Sequence, residues 1–165
     1  MKKKGLFIGL GILIFVLIIL IVLFCTMFAK LNKEKESITA EDFKVKMQEK
    51  GYEIYDATSQ FANYSYVKKV YIAVSNDQTY KIEFYEMSDD ENAISFYNNN
   101  KSIFESYKGN TVSEGSTNLK NYSKYNLTSN GKYYVISRIN NTAAYVNSDS
   151  NYKDNINSVL KDLGY

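Results

Sequence analysis

The sequence predicts an α+β protein in which an N-terminal transmembrane helix precedes one domain, an antiparallel sheet of five to six strands packed against three helices. Three observations carry that expectation. Leu6 to Ala29 is an apolar run with no charged side chain. Val70, Ile72 and Val74 alternate with polar or small neighbours, as do Tyr80, Ile82 and Phe84, and Ser75-Asn76-Asp77-Gln78 between them supplies turn residues. Apolar residues at helical spacing recur after capping residues at Thr39, Ser88 and Ser150 or Asn151.

Taken in order, residues 1–5 form a short basic tail, and residues 6–29 at about 1.5 Å per residue reach about 36 Å, enough for a hydrocarbon core of about 30 Å. A cleaved signal peptide would have a shorter apolar region and a small-residue cleavage site, whereas this run ends Thr26-Met27-Phe28-Ala29. A lipoprotein signal would use Cys25, yet bulky Val22, Leu23 and Phe24 precede it, and a pilin leader would carry an acid where Leu10 stands. Lys2, Lys3 and Lys4 on one side face Lys30, Lys33 and Lys35 on the other. The three adjacent lysines and the α-amino group tip the expected orientation to a cytoplasmic N-terminus and an outside C-terminal domain.

Residues 30–38 read as a charged stalk, and the folded domain is expected over residues 39–165. Thr39 and Asp42 form a capping box for a helix that buries Phe43 and Met47 and stops at Gly51. Tyr52 to Ala57 reads as a short strand. In the hairpin that follows, Val70, Ile72 and Val74 are expected on one face with Ile82 and Phe84, and Tyr71, Lys81, Glu83 and Tyr85 on a wet opposite face. Ser88-Asp89-Asp90-Glu91 opens a helix with Ala93, Ile94, Tyr97, Ile103, Phe104 and Tyr107 as its apolar face. Asn98-Asn99-Asn100 is a weak helix former in the middle of it. Gly109 to Asn118 reads as a flexible loop. Tyr122 to Thr128, Lys132 to Ile139 and Thr142 to Val146 then form a meander through Asn130-Gly131 and Asn140-Asn141, and a last helix presents Ile156, Val159, Leu160 and Leu163. The order of helix and three strands, repeated, suggests a degenerate αβββ duplication.

Composition excludes several chemistries. The net charge is +2, but all 18 acidic residues follow Ala29, where they meet 17 basic ones, so the domain carries about −1 and lacks the basic surface that nucleic acid requires. With no His, a Ser or Cys nucleophile has no imidazole base. The only cysteine, Cys25, lies in the apolar run, so the domain holds neither a disulfide nor a cysteine zinc site. Glu83, Glu86, Asp89 and Glu91 offer paired carboxylates for glycoside hydrolysis, but each also suits an exposed strand or a helix cap. No Gly-rich phosphate loop is present. The sequence therefore predicts no enzyme, no metal and no cofactor.

What remains is recognition. Tyr64, Tyr66, Tyr71 and Tyr85 could stack on glycan or peptide, although strand propensity and AT-rich codon usage explain abundant Tyr as well. Arg138, the single arginine, could grip a carboxylate, or be an ordinary solvent-facing strand residue. The candidate binding surface is Tyr71, Tyr85 and Arg138. The stretches Val70 to Glu86, Asn118 to Arg138 and Tyr152 to Tyr165 resemble a group of small membrane- or lipid-anchored extracytoplasmic proteins of clostridia and related low-GC Gram-positive bacteria. That resemblance implies an envelope location and no activity. The expected function is a non-enzymatic binding domain for a protein or cell-wall component; the alternative is a sensor or accessory subunit of a membrane protein complex.

Overall fold

The computed structural model describes residues 15–27, 34–110 and 112–165. Residues 15–27 form helix α1, whose side chains are exposed along its whole length. At about 1.5 Å per residue it reaches about 20 Å. Among the described residues no helix is long and apolar enough to cross a membrane, which corrects the expected transmembrane helix over Leu6 to Ala29. The remainder of that stretch, the basic tail before it and the first residues of the stalk lie outside the described residues.

Residues 34–165 form a separate α+β unit. Its sheet has seven strands, not five or six. Strands β1 (Glu53–Asp56), β2 (Val67–Val74) and β3 (Lys81–Met87) make one meander. Strands β4 (Val112–Asn118), β5 (Tyr122–Ser129), β6 (Lys132–Ile139) and β7 (Thr142–Asp149) make a second. The meanders join through β3 and β7 to give the order β1-β2-β3-β7-β6-β5-β4, every pair antiparallel.

The extra strand is β4, which the sequence presented as loop. Its side chains are almost all exposed, so no apolar alternation announces it. It exists because Val112 to Asn118 pair with Ser129 to Ser123 of β5 along their whole length.

Helices α2 (Ala40–Glu49) and α4 (Lys153–Asp162) cover one face of the sheet, and α3 (Asp90–Ser106) covers the other. On the first face Phe43 and Met47 of α2 and Ile156 and Leu160 of α4 meet Tyr71, Ala73, Ile82, Phe84, Tyr133, Val135 and Val146. On the second, Ala93, Tyr97 and Phe104 of α3 meet Tyr85, Tyr125, Leu127, Tyr134, Ile136 and Ala143. Neither face of the inner strands is wet, and β3, β5, β6 and β7 bury residues of both parities. Ile94, Ile103 and Tyr107, expected on the apolar face of α3, are exposed.

This arrangement also argues against the αβββ duplication. A two-fold axis relating antiparallel neighbours such as β3 and β7 stands normal to the sheet and would leave both opening helices on one face. Here α2 and α3 lie on opposite faces, and the second half has four strands.

The β2–β3 hairpin is paired one residue away from the expected register. Val70 lies opposite Tyr85, Tyr71 opposite Phe84 and Ile72 opposite Glu83. The connection decides this: Ser75 N–H donates to Tyr80 O at 3.0 Å, and Gln78 adopts φ +56°, closing a loop longer than the four turn residues alone. A one-residue slip exchanges the faces of every side chain. Ile82 and Phe84 thus join Tyr71 under α2, whereas Glu83 and Tyr85 join Val70 and Ile72 on the α3 face.

Local capping follows the sequence at α2, where Thr39 Oγ1 accepts from Asp42 N–H at 3.1 Å and Asp42 Oδ2 accepts from Thr39 N–H at 3.1 Å. Glu86 of β3 adds a third acceptor there, taking the Ala40 N–H at 2.9 Å. At α3 the cap is Asp89 rather than Ser88, and Asp89 Oδ1 accepts from Asn92 N–H at 2.8 Å. Asn130 and Gly131, at φ +52° and +74°, make the tight turn that the sequence requires between β5 and β6.

Residues 34–38, read as stalk, run against the sheet end. Lys35 N–H donates to Asn121 Oδ1 at 3.0 Å, Asn121 Nδ2 donates back to Lys35 O at 2.7 Å, and the Lys35 ammonium sits 3.6 Å from the Tyr122 ring centre. Lys120 pairs with Glu34 at 2.6 Å.

Candidate functional site

On the α3 face, α3 packs over β6 with β3, β5 and β7 beside it, and the segment between β1 and β2 covers β2. That segment contains a 3-10 turn (Thr58–Phe61) and brings Phe61, Tyr64 and Tyr66 up beside the middle of the helix. Between them lies a cleft of about 400 Å³, lined by Phe61, Tyr64, Tyr66, Tyr85, Phe96 and Tyr145 with Val67, Glu83, Asn99 and Asn100.

The aromatic rings form a connected wall. Phe61 meets Tyr85 edge to face at 5.4 Å, Tyr85 meets Phe96 at 4.6 Å, and Tyr64 meets Tyr66 at 5.8 Å. Tyr85 is buried in the floor, while Tyr64 and Tyr66 are 50% and 37% exposed at the rim. Such a gradient, fixed below and accessible above, suits a surface that receives a ligand.

Among the described residues Glu83 is the only charged one in the lining. Its side chain is 14% exposed, its Oε2 accepts from the Tyr85 hydroxyl at 2.5 Å, and its Oε1 holds the Lys81 ammonium at 2.9 Å. Burial, and then the Glu83 charge, push the Tyr85 phenol far above its ordinary pKa, so it stays a donor. Asn100, also in the lining, donates its amide nitrogen to Phe96 O at 2.8 Å.

Of the residues singled out from sequence, the structure gathers Tyr64, Tyr66 and Tyr85 in this cleft and disperses the others. Tyr71 is on the opposite face, buried, with its hydroxyl donating to Glu41 Oε1 at 2.5 Å and Lys69 and Lys44 near its ring. Arg138 shares the α3 face and the same cross-strand row as Tyr85, since Tyr85 lies opposite Ala143 and Ala143 opposite Arg138. It is not solvent-facing: it is 4% exposed, donates weakly to Asn140 O and Ser123 Oγ at 3.3 and 3.4 Å, and has no partner for Nε. It does not line the cleft.

Of the carboxylates considered for glycoside hydrolysis, Glu83 and Glu86 stand on opposite faces of the sheet, and Asp89 and Glu91 both open α3. Glu86 caps α2, and Asp89 caps α3. Among the described residues no group of three or more His, Cys, Asp or Glu side chains could hold a metal ion.

Sequence reasoning missed Glu83, Phe61, Phe96, Asn99, Asn100 and Tyr145 as one site, because they come from four separate elements. One signal pointed that way. Asn98-Asn99-Asn100 weakens a helix that is nevertheless continuous from Asp90 to Ser106, and two of the three asparagines face the cleft.

Comparison of the chain with protein-family models, with curated proteins and with solved structures finds no match.

Proposed function

We propose that residues 34–165 are a non-enzymatic binding domain of the cell envelope, and that the aromatic cleft between the Phe61 to Tyr66 segment and α3 seats its protein or cell-wall ligand. The observation that carries this reading is the pair of half-exposed rings, Tyr64 and Tyr66, standing over a floor closed by Tyr85 and Phe96. Exposed aromatic side chains beside a buried floor supply large contact area, which is what recognition surfaces use. Envelope residence rests on the apolar composition of residues 6–29 and on the resemblance to clostridial extracytoplasmic proteins.

A photo-crosslinking residue at Tyr66 in the full-length protein, expressed in cells, tests the cleft. Capture of a wall fragment or envelope protein, lost in Tyr64→Ala/Tyr66→Ala at unchanged melting temperature, is the expected result. Equal capture by the double variant overturns the cleft as the binding site. Turnover of glycan or peptide by the purified protein, abolished by Glu83→Gln, overturns the non-enzymatic reading. Protease shaving of intact cells carrying a C-terminal tag tests the location, and a surviving tag counts against it.

A further inference from the structure

We infer that the cleft recognises the ammonium group of a lysine-type side chain on a peptide ligand, with Glu83 as its counter-ion. This rests on reading the cleft as a ligand site, and it adds the chemistry of the group bound there.

Charge comes first. Glu83 is the only ionisable acid or base of Asp, Glu, Lys or Arg type in a lining otherwise built of aromatic rings, two amides and a valine. Ring faces carry partial negative charge and attract a cation within about 6 Å, and the attraction grows as water is excluded. The carboxylate and the ring faces therefore favour a cation over an anion.

The carboxylate is also already arranged for an ammonium. Tyr85 fixes Oε2 at 2.5 Å and so orients the group, and Oε1 holds the Lys81 ammonium at 2.9 Å. Lys81 is 51% exposed and reaches Glu83 from two positions away on the same strand, so it can swing into water when a competitor arrives. The lysine end of the pair is half exposed, so its release into water is compensated by hydration.

Depth selects the stem. Glu83 lies on the sheet, directly opposite Tyr145 of β7, beneath the rim formed by Tyr64 and Tyr66. An ammonium at the end of an alkyl chain can pass between the rings and reach it, whereas one attached directly to a sugar ring would have to bring the ring to the floor.

The test is a titration of the full-length protein followed by two-dimensional NMR of the Tyr64, Tyr66 and Phe96 rings. The probes are Nα-acetyl-lysine amide and its neutral counterpart Nα-acetyl-norleucine amide. The lysine probe is expected to shift those resonances and to bind about tenfold more tightly than the neutral one. Glu83→Gln should remove that preference. Lys81→Met, which frees the carboxylate, should tighten binding of the lysine probe severalfold and needs no loss of a buried group. Equal binding of the two probes, no shift with the lysine probe, or no change in Lys81→Met overturns the inference. Tighter binding of glucosamine than of the lysine probe overturns the peptide assignment. If the lysine probe fails while crosslinking at Tyr66 still captures a ligand lost in Tyr64→Ala/Tyr66→Ala, the cleft remains a binding site and only its cation chemistry falls.

Discussion

The Tyr85 hydroxyl and the Glu83 carboxylate are joined by a 2.5 Å hydrogen bond between alternate positions of β3, so a buried phenol sets the orientation of the one charged group in the aromatic cleft. Tyr85→Phe keeps the ring packed against Phe61 and Phe96 but deletes this donor. A hydrogen bond to a charged acceptor contributes about 1.5–3 kcal/mol, and the variant should lose stability toward the lower end, about 1.5 kcal/mol, since Lys81 still serves Glu83. Chemical denaturation measures it; a midpoint equal to that of the parent protein shows the bond to be energetically idle.

Alkali should unfold the domain. Burial raises the phenol pKa of Tyr85, Tyr165, Tyr125 and Tyr52, and in Tyr85 and Tyr125 a neighbouring carboxylate adds to it. The folded state thus holds protons that the unfolded state releases near pH 10. Their contribution to stability is complete below about pH 10 and declines as pH rises above it toward the folded values. Circular dichroism and tyrosinate absorbance followed together should change in one cooperative step. Ionisation of all 16 tyrosines without loss of the dichroism signal would contradict this.

Arg138 is a buried cation with no carboxylate within ion-pair distance among the described residues and with an unpartnered Nε. Replacing such a group by an apolar one of similar length relieves desolvation and forfeits two long hydrogen bonds. Arg138→Met is expected to be neutral or stabilising by about 1 kcal/mol. A loss above about 2 kcal/mol in a melting experiment would mean that its contacts to Asn140 and Ser123 matter more than its desolvation.

Gly131→Ala isolates backbone strain. The residue has φ +74°, and an added Cβ meets nothing within 4 Å, so no clash accompanies the left-handed penalty. The cost should be about 1–2 kcal/mol, read as a lower melting temperature with unchanged spectra.

Asn121 ties residues 34–38 to the sheet. Its amide donates to Lys35 O and to Asn140 Oδ1 and accepts from Lys35 N–H, and it is 9% exposed. Asn121→Ala should speed hydrogen exchange at the Lys35 amide by about tenfold or more while the amides of β6 remain protected. Unaltered exchange at Lys35 would show that the Glu34–Lys120 pair and the Tyr122 contact hold the segment without it.

The sequence alone determined the features that depend on neighbours along the chain. The Thr39 capping box, the Asn130-Gly131 turn, the Ile156–Leu160 stripe of α4 and strand β6 all appear where local chemistry dictates, because a turn conformation or a helical period is satisfied within a few residues. The lack of His and the location of the one cysteine likewise follow from composition. Only the tertiary structure decided the rest. Strand β4 has no apolar period and forms because β5 offers it an unpaired edge. The β2–β3 register, and with it the separation of Tyr71 from Tyr85, depends on a loop closure that shifts every side chain to the other face. Arg138 is buried because α3 lies over its strand, and the cleft exists because α3 and the Phe61 to Tyr66 segment lie side by side on that face, placing Glu83 among rings drawn from distant parts of the chain. The burial of Arg138 and the assembly of the cleft rest on long-range contacts, and no short window of sequence contains both partners.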